Sequence, residues 1–416
     1  MSSDATPDPN AEPIAFGQRL QLLRTRRGMT REVLAGLLGK STSWLKQVEG
    51  GRLQTPKLDV ILALAEALRV RDLADLTGDQ TRHIGMFIGP GHPKLPAVVA
   101  AVNAFPLTAN HEAAPIGHLQ ARLARAWQAR HSAPNHREVV GGLLPDLIRD
   151  TQQAVRQAET ALDRRAAQAV MSEVYSLAQF FVAYQPDPSL LWRVAERGMV
   201  AAQESEDPHI IGIAAWLTAQ AHRDSGPGHY DAADAVNLEA LHFLEPLLPD
   251  ANDDVLAITG ALRFEAGYTA ARRGDTGAAW GHWDQADRIA IRLPADYYHP
   301  VTSFSRAVMG AHAVTVAVEL HAGGESVRQA ARSEASVIPS RPRRARHRIE
   351  QARAYQLDGQ PDVALATLDQ AHEAAPETIR WNGYAKRIIL EEAESTVPAR
   401  RRRAAELAVK VGLLAA

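Results

Sequence analysis

Between Phe16 and Leu76 apolar residues fall at helical intervals and are cut into short runs by glycine and hydroxyl residues, which predicts five short helices. Phe16, Leu20 and Leu23 recur four and three residues apart and give a first helix one apolar face, ending at Gly28. Thr30 caps a second helix from Arg31, with Leu34, Leu37 and Leu38 as its expected buried side. Gly39 closes it. Ser41 caps a third helix that turns Trp44, Leu45 and Val48 inward and stops at Gly50-Gly51. Beyond the loop Arg52 to Pro56, a fourth carries Leu58, Ile61, Leu62, Ala65 and Leu68, and Asp72 to Leu76 makes a short fifth.

From Arg31 the chain places Ala35 four residues in, Gly39 eight, Leu45 fourteen and Val48 seventeen. A helix-turn-helix needs these types at these offsets: a small residue where the helices cross, a glycine at the turn, and branched residues that bury the second helix. Here the sequence resembles the Xre/Cro-type repressor family over about sixty residues, including the Thr30-Arg31-Glu32 entry, the Glu49-Gly50-Gly51-Arg52 exit and the Pro56-to-Leu68 helix. Lys40, where the family has a valine-like residue, and Gly50, in place of a commoner polar one, depart from its pattern.

The resemblance implies a five-helix, lambda-repressor-like DNA-binding domain over residues 14–80, with the third helix in the major groove. Thr42, Ser43, Lys46 and Gln47 would then face base edges, while Arg31, Arg52 and Lys57 would meet phosphates. It also implies a partly buried salt bridge between Arg24 and Glu49, and leaves Trp44 to packing. Gly39-Lys40-Ser41-Thr42 ends like a phosphate-binding loop. Leu34 stands in the place of that loop's first glycine, however, and a helix precedes it instead of a strand, so nucleotide binding is not expected.

Residues 81–115 carry Gly85, Gly89, Pro90, Gly91, Pro93, Pro96, Pro106 and Pro115 around one apolar run, Val98 to Val102, and read as a linker. From Ile116 to residue 416, helix follows helix. After Gly359 come Ala364, Leu368 and Ala371 at five, nine and twelve residues, with Ala352 and Tyr355 before it. Gly274 is followed by Ala279, Trp283 and Ala286 at the same offsets, and Gly228 by Tyr230, Ala233, Asn237 and Ala240; Ala195, Met199 and Ala202 make a half-match. This small–large–small spacing resembles tetratricopeptide (TPR) helix pairs, and implies a TPR-like α-solenoid whose concave face binds peptides or protein segments. A reader of this type on such a body is similar to the peptide-pheromone-responsive regulators of Gram-positive bacteria. It is also similar to a broad set of actinobacterial helix-turn-helix/TPR proteins, which the Ala/Arg-rich, Lys-poor composition favours.

Charge sharpens the division. The chain's formal net charge is −2, yet residues 14–78 hold eleven Lys/Arg against six Asp/Glu, or +5, leaving −7 elsewhere. A basic module on an acidic body is suited to meeting phosphates at one end only. Two arginine clusters, Arg341, Arg343, Arg344, Arg346 and Arg348, and then Arg400 to Arg403, fall at expected helix starts, where cations oppose the helix dipole. They read either as solvated faces or as patches for an acidic partner such as nucleic acid. The acids look singly scattered, as solvated faces require.

Cysteine is absent, which removes disulfides and thiolate sites. No apolar run is long enough to span a bilayer, and residues 1–13 have neither a signal nor a transit pattern; they read as a disordered tail of a cytoplasmic protein. The sixteen histidines show no ligand spacing with a carboxylate, and no catalytic constellation or cofactor fingerprint is present. No enzyme, cofactor or metal is therefore expected.

These features converge on an all-α, sequence-specific transcription regulator that binds double-stranded DNA as a homodimer. Its repeat domain would mediate dimerisation, sense a peptide or protein ligand, or both. Dimerisation is expected because one small reader covers only a half-site. The competing reading is a TPR-type protein-interaction adaptor with a non-regulatory helix-turn-helix module, and steeply salt-dependent duplex binding separates the two.

Overall fold

Helix-forming residues at helical spacing give twenty α-helices and no strand among the described residues. The computed structural model describes residues 16–53, 55–68, 70, 76–77, 91–105, 107 and 112–414. They fall into two compact units, residues 1–90 and 91–416, each with its own core.

The first unit contains α1 (Phe16–Arg26), α2 (Arg31–Leu37), α3 (Thr42–Glu49) and α4 (Leu58–Ala67). Hydroxyl caps start two of them: Thr30 Oγ1 accepts from the amide of Val33 at 3.3 Å, and Ser41 Oγ from that of Trp44 at 3.1 Å. Leu20, Leu34, Ala35, Leu45, Val48, Ile61, Leu64, Ala65, Leu68 and Leu76 form the core. Leu37 is not part of it. It is 61% exposed, because the buried stripe of α2 centres on Leu34, Ala35 and Leu38. At 3.6 residues per turn, Leu37 stands about 110° round from that stripe. The side chains of Leu58 and Leu62 lie outside the described residues, as do residues 1–13 and most of the expected fifth helix, of which only Leu76 is described.

The second unit opens with α5 (Leu95–Asn103), α6 (Ile116–Ser132), α7 (His136–Gln157), α8 (Ala161–Val182), α9 (Pro188–Ser205), α10 (Pro208–Asp224) and α11 (Tyr230–Leu244). It continues with α12 (Asp253–Arg273), α13 (Thr276–Arg292), α14 (Met309–Glu319), α15 (Gly323–Arg332) and α16 (Arg341–Leu357). The last four are α17 (Pro361–Ala374), α18 (Pro376–Trp381), α19 (Gly383–Ala393) and α20 (Pro398–Lys410). Successive helices pack in pairs, α8 with α9, α12 with α13 and α16 with α17 among them. The small residues of the repeat spacing sit in these seams: Ala279, Ala286, Ala352, Ala364 and Ala371 are fully buried, and so is Leu368. A side chain larger than a methyl group there would push the pair apart.

Within the segment that reads as a linker, α5 is a helix of the second unit, with Leu95, Val98, Ala101 and Val102 in its large core. Pro96 does not break it, because it occupies the first turn, where an amide hydrogen has no helical partner to lose. No helix among the described residues is long and apolar enough to cross a membrane.

Candidate nucleic-acid interface

The turn between α2 and α3 is closed by Gly39 at φ +63°, a left-handed conformation that a side chain would strain. From there α3 divides cleanly. Leu45 and Val48 are buried, whereas Ser43, Lys46 and Gln47 are exposed and Thr42 is half-buried. Gln47 Nε2 lies 3.5 Å from Ser43 Oγ, so two of the polar groups expected to read bases stand side by side on successive turns. Trp44 is half-buried against the core, with Lys40 Nζ 5.9 Å from its ring centroid. The lysine that departs from the family pattern thus flanks the packing tryptophan.

The far end of α3 is anchored by a buried carboxylate. Glu49 Oε1 accepts from Arg24 Nε at 2.6 Å and Glu49 Oε2 from Arg24 Nη2 at 3.1 Å. Arg24 Nη1 also donates to the Met29 carbonyl at 2.7 Å. Arg31, expected at a phosphate, donates from Nε to Glu49 Oε2 at 2.6 Å and keeps about a third of its side chain exposed. One carboxylate therefore pins α3 to both α1 and α2. Arg52 and Lys57 stand exposed beyond the end of α3. A second device went unread in the sequence: a Cβ on Gly17 would fall 2.3 Å from the Val48 carbonyl oxygen, so only glycine lets α1 press against the end of α3.

Apart from Arg343, the first arginine cluster is committed to partners within the chain. Arg341 donates to the Ala374 carbonyl at 2.9 Å, Arg344 to that of Ile338 at 3.2 Å, and Arg348 to the Gln370 side chain at 3.0 Å. Arg346 pairs with Glu350 at 2.7 Å. The acids correct the sequence reading too: Glu265 and Glu350 are buried and paired with Arg223, Arg346 and Arg353. In the second cluster Arg400 pairs with Asp362 at 3.0 Å, while Arg401, Arg402 and Arg403 stay exposed.

His209, Asp254 and His299 bring three potential metal-ligand atoms within 4.8 Å of one another, from positions too far apart in sequence to show a spacing. The hydrogen bonds do not fit a metal. His299 Nδ1 accepts from the Thr302 amide at 3.1 Å, which puts the ring proton on Nε2, and Nε2 lies 2.8 Å from His209 Nε2. A ligating histidine needs the reverse, with its distal nitrogen donating outward. Burial lowers His299 to about 3, consistent with a neutral imidazole pair.

Residues 15–77 match a protein family described as a helix-turn-helix domain. No curated protein matches the chain in sequence. Among solved structures, PlcR of Bacillus thuringiensis in complex with the peptide PapR7 and DNA aligns at 11% identity and a TM-score of 0.32, over 86% of this chain and 100% of that one. ComR from S. thermophilus, in complex with DNA and its signalling peptide ComS, aligns at 15% and 0.20, over 67% and 94%. ComR from Streptococcus suis aligns at 16% and 0.17, over 59% and 92%.

Proposed function

We propose that this chain, whose residues 15–77 match a helix-turn-helix domain, is a sequence-specific, DNA-binding transcription regulator. The observation that carries the proposal is α3: Ser43, Lys46 and Gln47, with the half-buried Thr42 beside them, stand exposed on a helix whose other side is buried and whose end is held by Glu49. Donors and acceptors on a fixed helix are what base edges in the major groove can select. Arg52 and Lys57 supply charge for the backbone, and Arg31 can share its guanidinium between Glu49 and a phosphate. The chain acts as a homodimer, since one such helix covers a half-site, and the helical-repeat unit receives the signal.

Selecting duplexes from a random pool with the purified full chain tests this. The expected result is a pseudo-palindromic site with half-sites about 10–10.5 base pairs apart, or a multiple of that spacing. Recovery of no preferred sequence at physiological salt would leave the adaptor reading in possession.

A further inference from the structure

The helical-repeat unit holds a half-open cavity of about 730 Å³. That volume suits an organic ligand, since such pockets span about 300–1,000 Å³. Phe180, Trp216, Phe264 and Tyr268 give it aromatic walls. Its cations fall into two groups that the sequence cannot tell apart.

Arg223, Arg272, Arg346 and Arg387 line the cavity already paired, with Glu265 at 3.1 Å, Glu319 at 3.8 Å, Glu350 at 2.7 Å and Glu391 at 3.7 Å. Arg130, Arg137 and Arg343 also line it, but their guanidiniums meet rings, carbonyls and an imidazole, and no carboxylate among the described residues makes an ion pair with them. Arg130 has its guanidinium 4.0 Å from the Phe180 ring centroid and 5.8 Å from that of Trp127. Arg137, nine-tenths buried, donates to the carbonyls of Phe181 at 2.7 Å and Ala183 at 3.3 Å, and its Nε has no partner. Glu377 accepts from the backbone amide of Arg137 at 2.6 Å and leaves the guanidinium unpaired. Arg343 Nη2 lies 3.5 Å from His312 Nδ1. Burial, and for Arg130 also the repulsion of Arg137, lowers Arg130 and Arg137 to about 10. All three arginines stay charged at neutral pH, so the cavity holds positive charge that the chain itself leaves unmatched.

We propose that this cavity binds an organic anion, whose acid group is held by Arg130, Arg137 and Arg343 and whose apolar or aromatic body lies against Phe180, Trp216 and Phe264. A guanidinium fork matches the two oxygens of an acid group, and the low-polarity walls strengthen that attraction while accepting the rest of the molecule. The chemistry is met by the C-terminal carboxylate of a short peptide or by a small aromatic acid. The proposal rests on the reading of the helical-repeat unit as the receiving half of a regulator, and names what it receives.

The test titrates the full chain with 8-anilinonaphthalene-1-sulfonate, an aromatic anion, and in parallel with the neutral dye Nile red. Arg130→Gln and Arg343→Gln are the informative variants, because neither side chain holds a backbone carbonyl as Arg137 does. Each should weaken the anionic probe about tenfold or more, the scale of one lost charge-assisted hydrogen bond, and leave Nile red unchanged. Arg328→Gln, at an exposed pair with Glu325 on α15, should change neither. Folded variants that bind the anion as tightly as the parent, or lose both dyes equally, overturn the proposal.

A second measurement needs no variant. The melting temperature of the helical-repeat unit in the parent chain should rise more with 2-naphthoate than with the neutral 2-naphthylmethanol, because a ligand stabilises the state it binds in proportion to its affinity. Equal shifts, or no shift with either 2-naphthoate or a short aromatic peptide bearing a free C-terminus, overturn the proposal. Displacement of the anionic probe by a short aromatic peptide with a free but not an amidated C-terminus assigns the peptide source, and displacement by 2-naphthoate alone assigns the small acid. Failure of both to displace it counts against the site. Duplex binding by the same preparation is scored separately: its loss with the anion site intact would sink the regulator reading and leave this one standing.

Discussion

The ion cluster at the end of α3 makes an asymmetric prediction. Glu49 is 1% exposed in its side chain and serves two arginines, whereas Arg24 has a further partner in the Met29 carbonyl. Replacing Glu49 with leucine strands the guanidinium of Arg24, whose side chain is only 10% exposed. Breaking a buried pair from one side costs about 3–5 kcal/mol. Replacing Arg24 with methionine is milder, because Glu49 keeps Arg31 at 2.6 Å. The loss is then about 1.5–3 kcal/mol, the scale of hydrogen bonds to a charged group. The double variant removes both misfits and should fall short of the sum by about 1–3 kcal/mol. Trp44 is the one tryptophan in residues 1–90, so urea unfolding of that fragment followed by its fluorescence reports on this unit alone. In a domain this small, each kcal/mol moves the melting temperature by about 4–8 °C, so the effects are well within measurement. Additive losses, or an Arg24 variant weaker than the Glu49 variant, would refute the account of how α3 is held.

Burial lowers His131 and His347 to about 4, His299 to about 3 and His136 to about 2. The native state then binds fewer protons than the unfolded one, so the stability these histidines contribute is full above pH of about 6.5 and is lost as pH falls through their folded values. Thermal unfolding of the full chain between pH 7 and 4 should show the second unit weakening on acidification, while residues 1–80, which contain no histidine, lack this contribution; a pH-independent second unit contradicts the assignment. On a selected operator, Gln47→Ala should relax preference at one base position at a cost of about 1–3 kcal/mol, whereas Arg52→Ala and Lys57→Ala should weaken all duplexes alike and flatten the salt dependence. Uniform loss across sequences for Gln47→Ala would place base reading elsewhere.

The helix-turn-helix was legible because its constraints are local: Thr30, Gly39, Ser41, Leu45 and Val48 act within α2, α3 and the turn between them. The repeat unit was legible in its seams for the same reason, since Ala279, Ala286, Ala364 and Ala371 mark close approach at fixed spacing. What remained hidden depends on the third dimension. Leu37 looks as apolar as Leu34 until the other helices choose which side of α2 to cover. Arg31 looks like a surface cation until Glu49, eighteen residues on, arrives beside it. Arg343 and Arg346 are near neighbours on α16, yet Glu350 neutralises Arg346 and Arg343 ends on His312. Nothing in a run of arginines distinguishes those two fates, because each is decided by what the rest of the chain brings to the cavity.

The central claim is that α3 reads base sequence. It is tested most directly by measuring the affinity of the full chain for its selected duplex and for a scrambled duplex of the same length across a salt series. The account predicts a selected site about 10³-fold or more tighter at physiological salt, with both affinities falling linearly as log affinity against log salt. Equal affinities for the two duplexes at every salt concentration would contradict it.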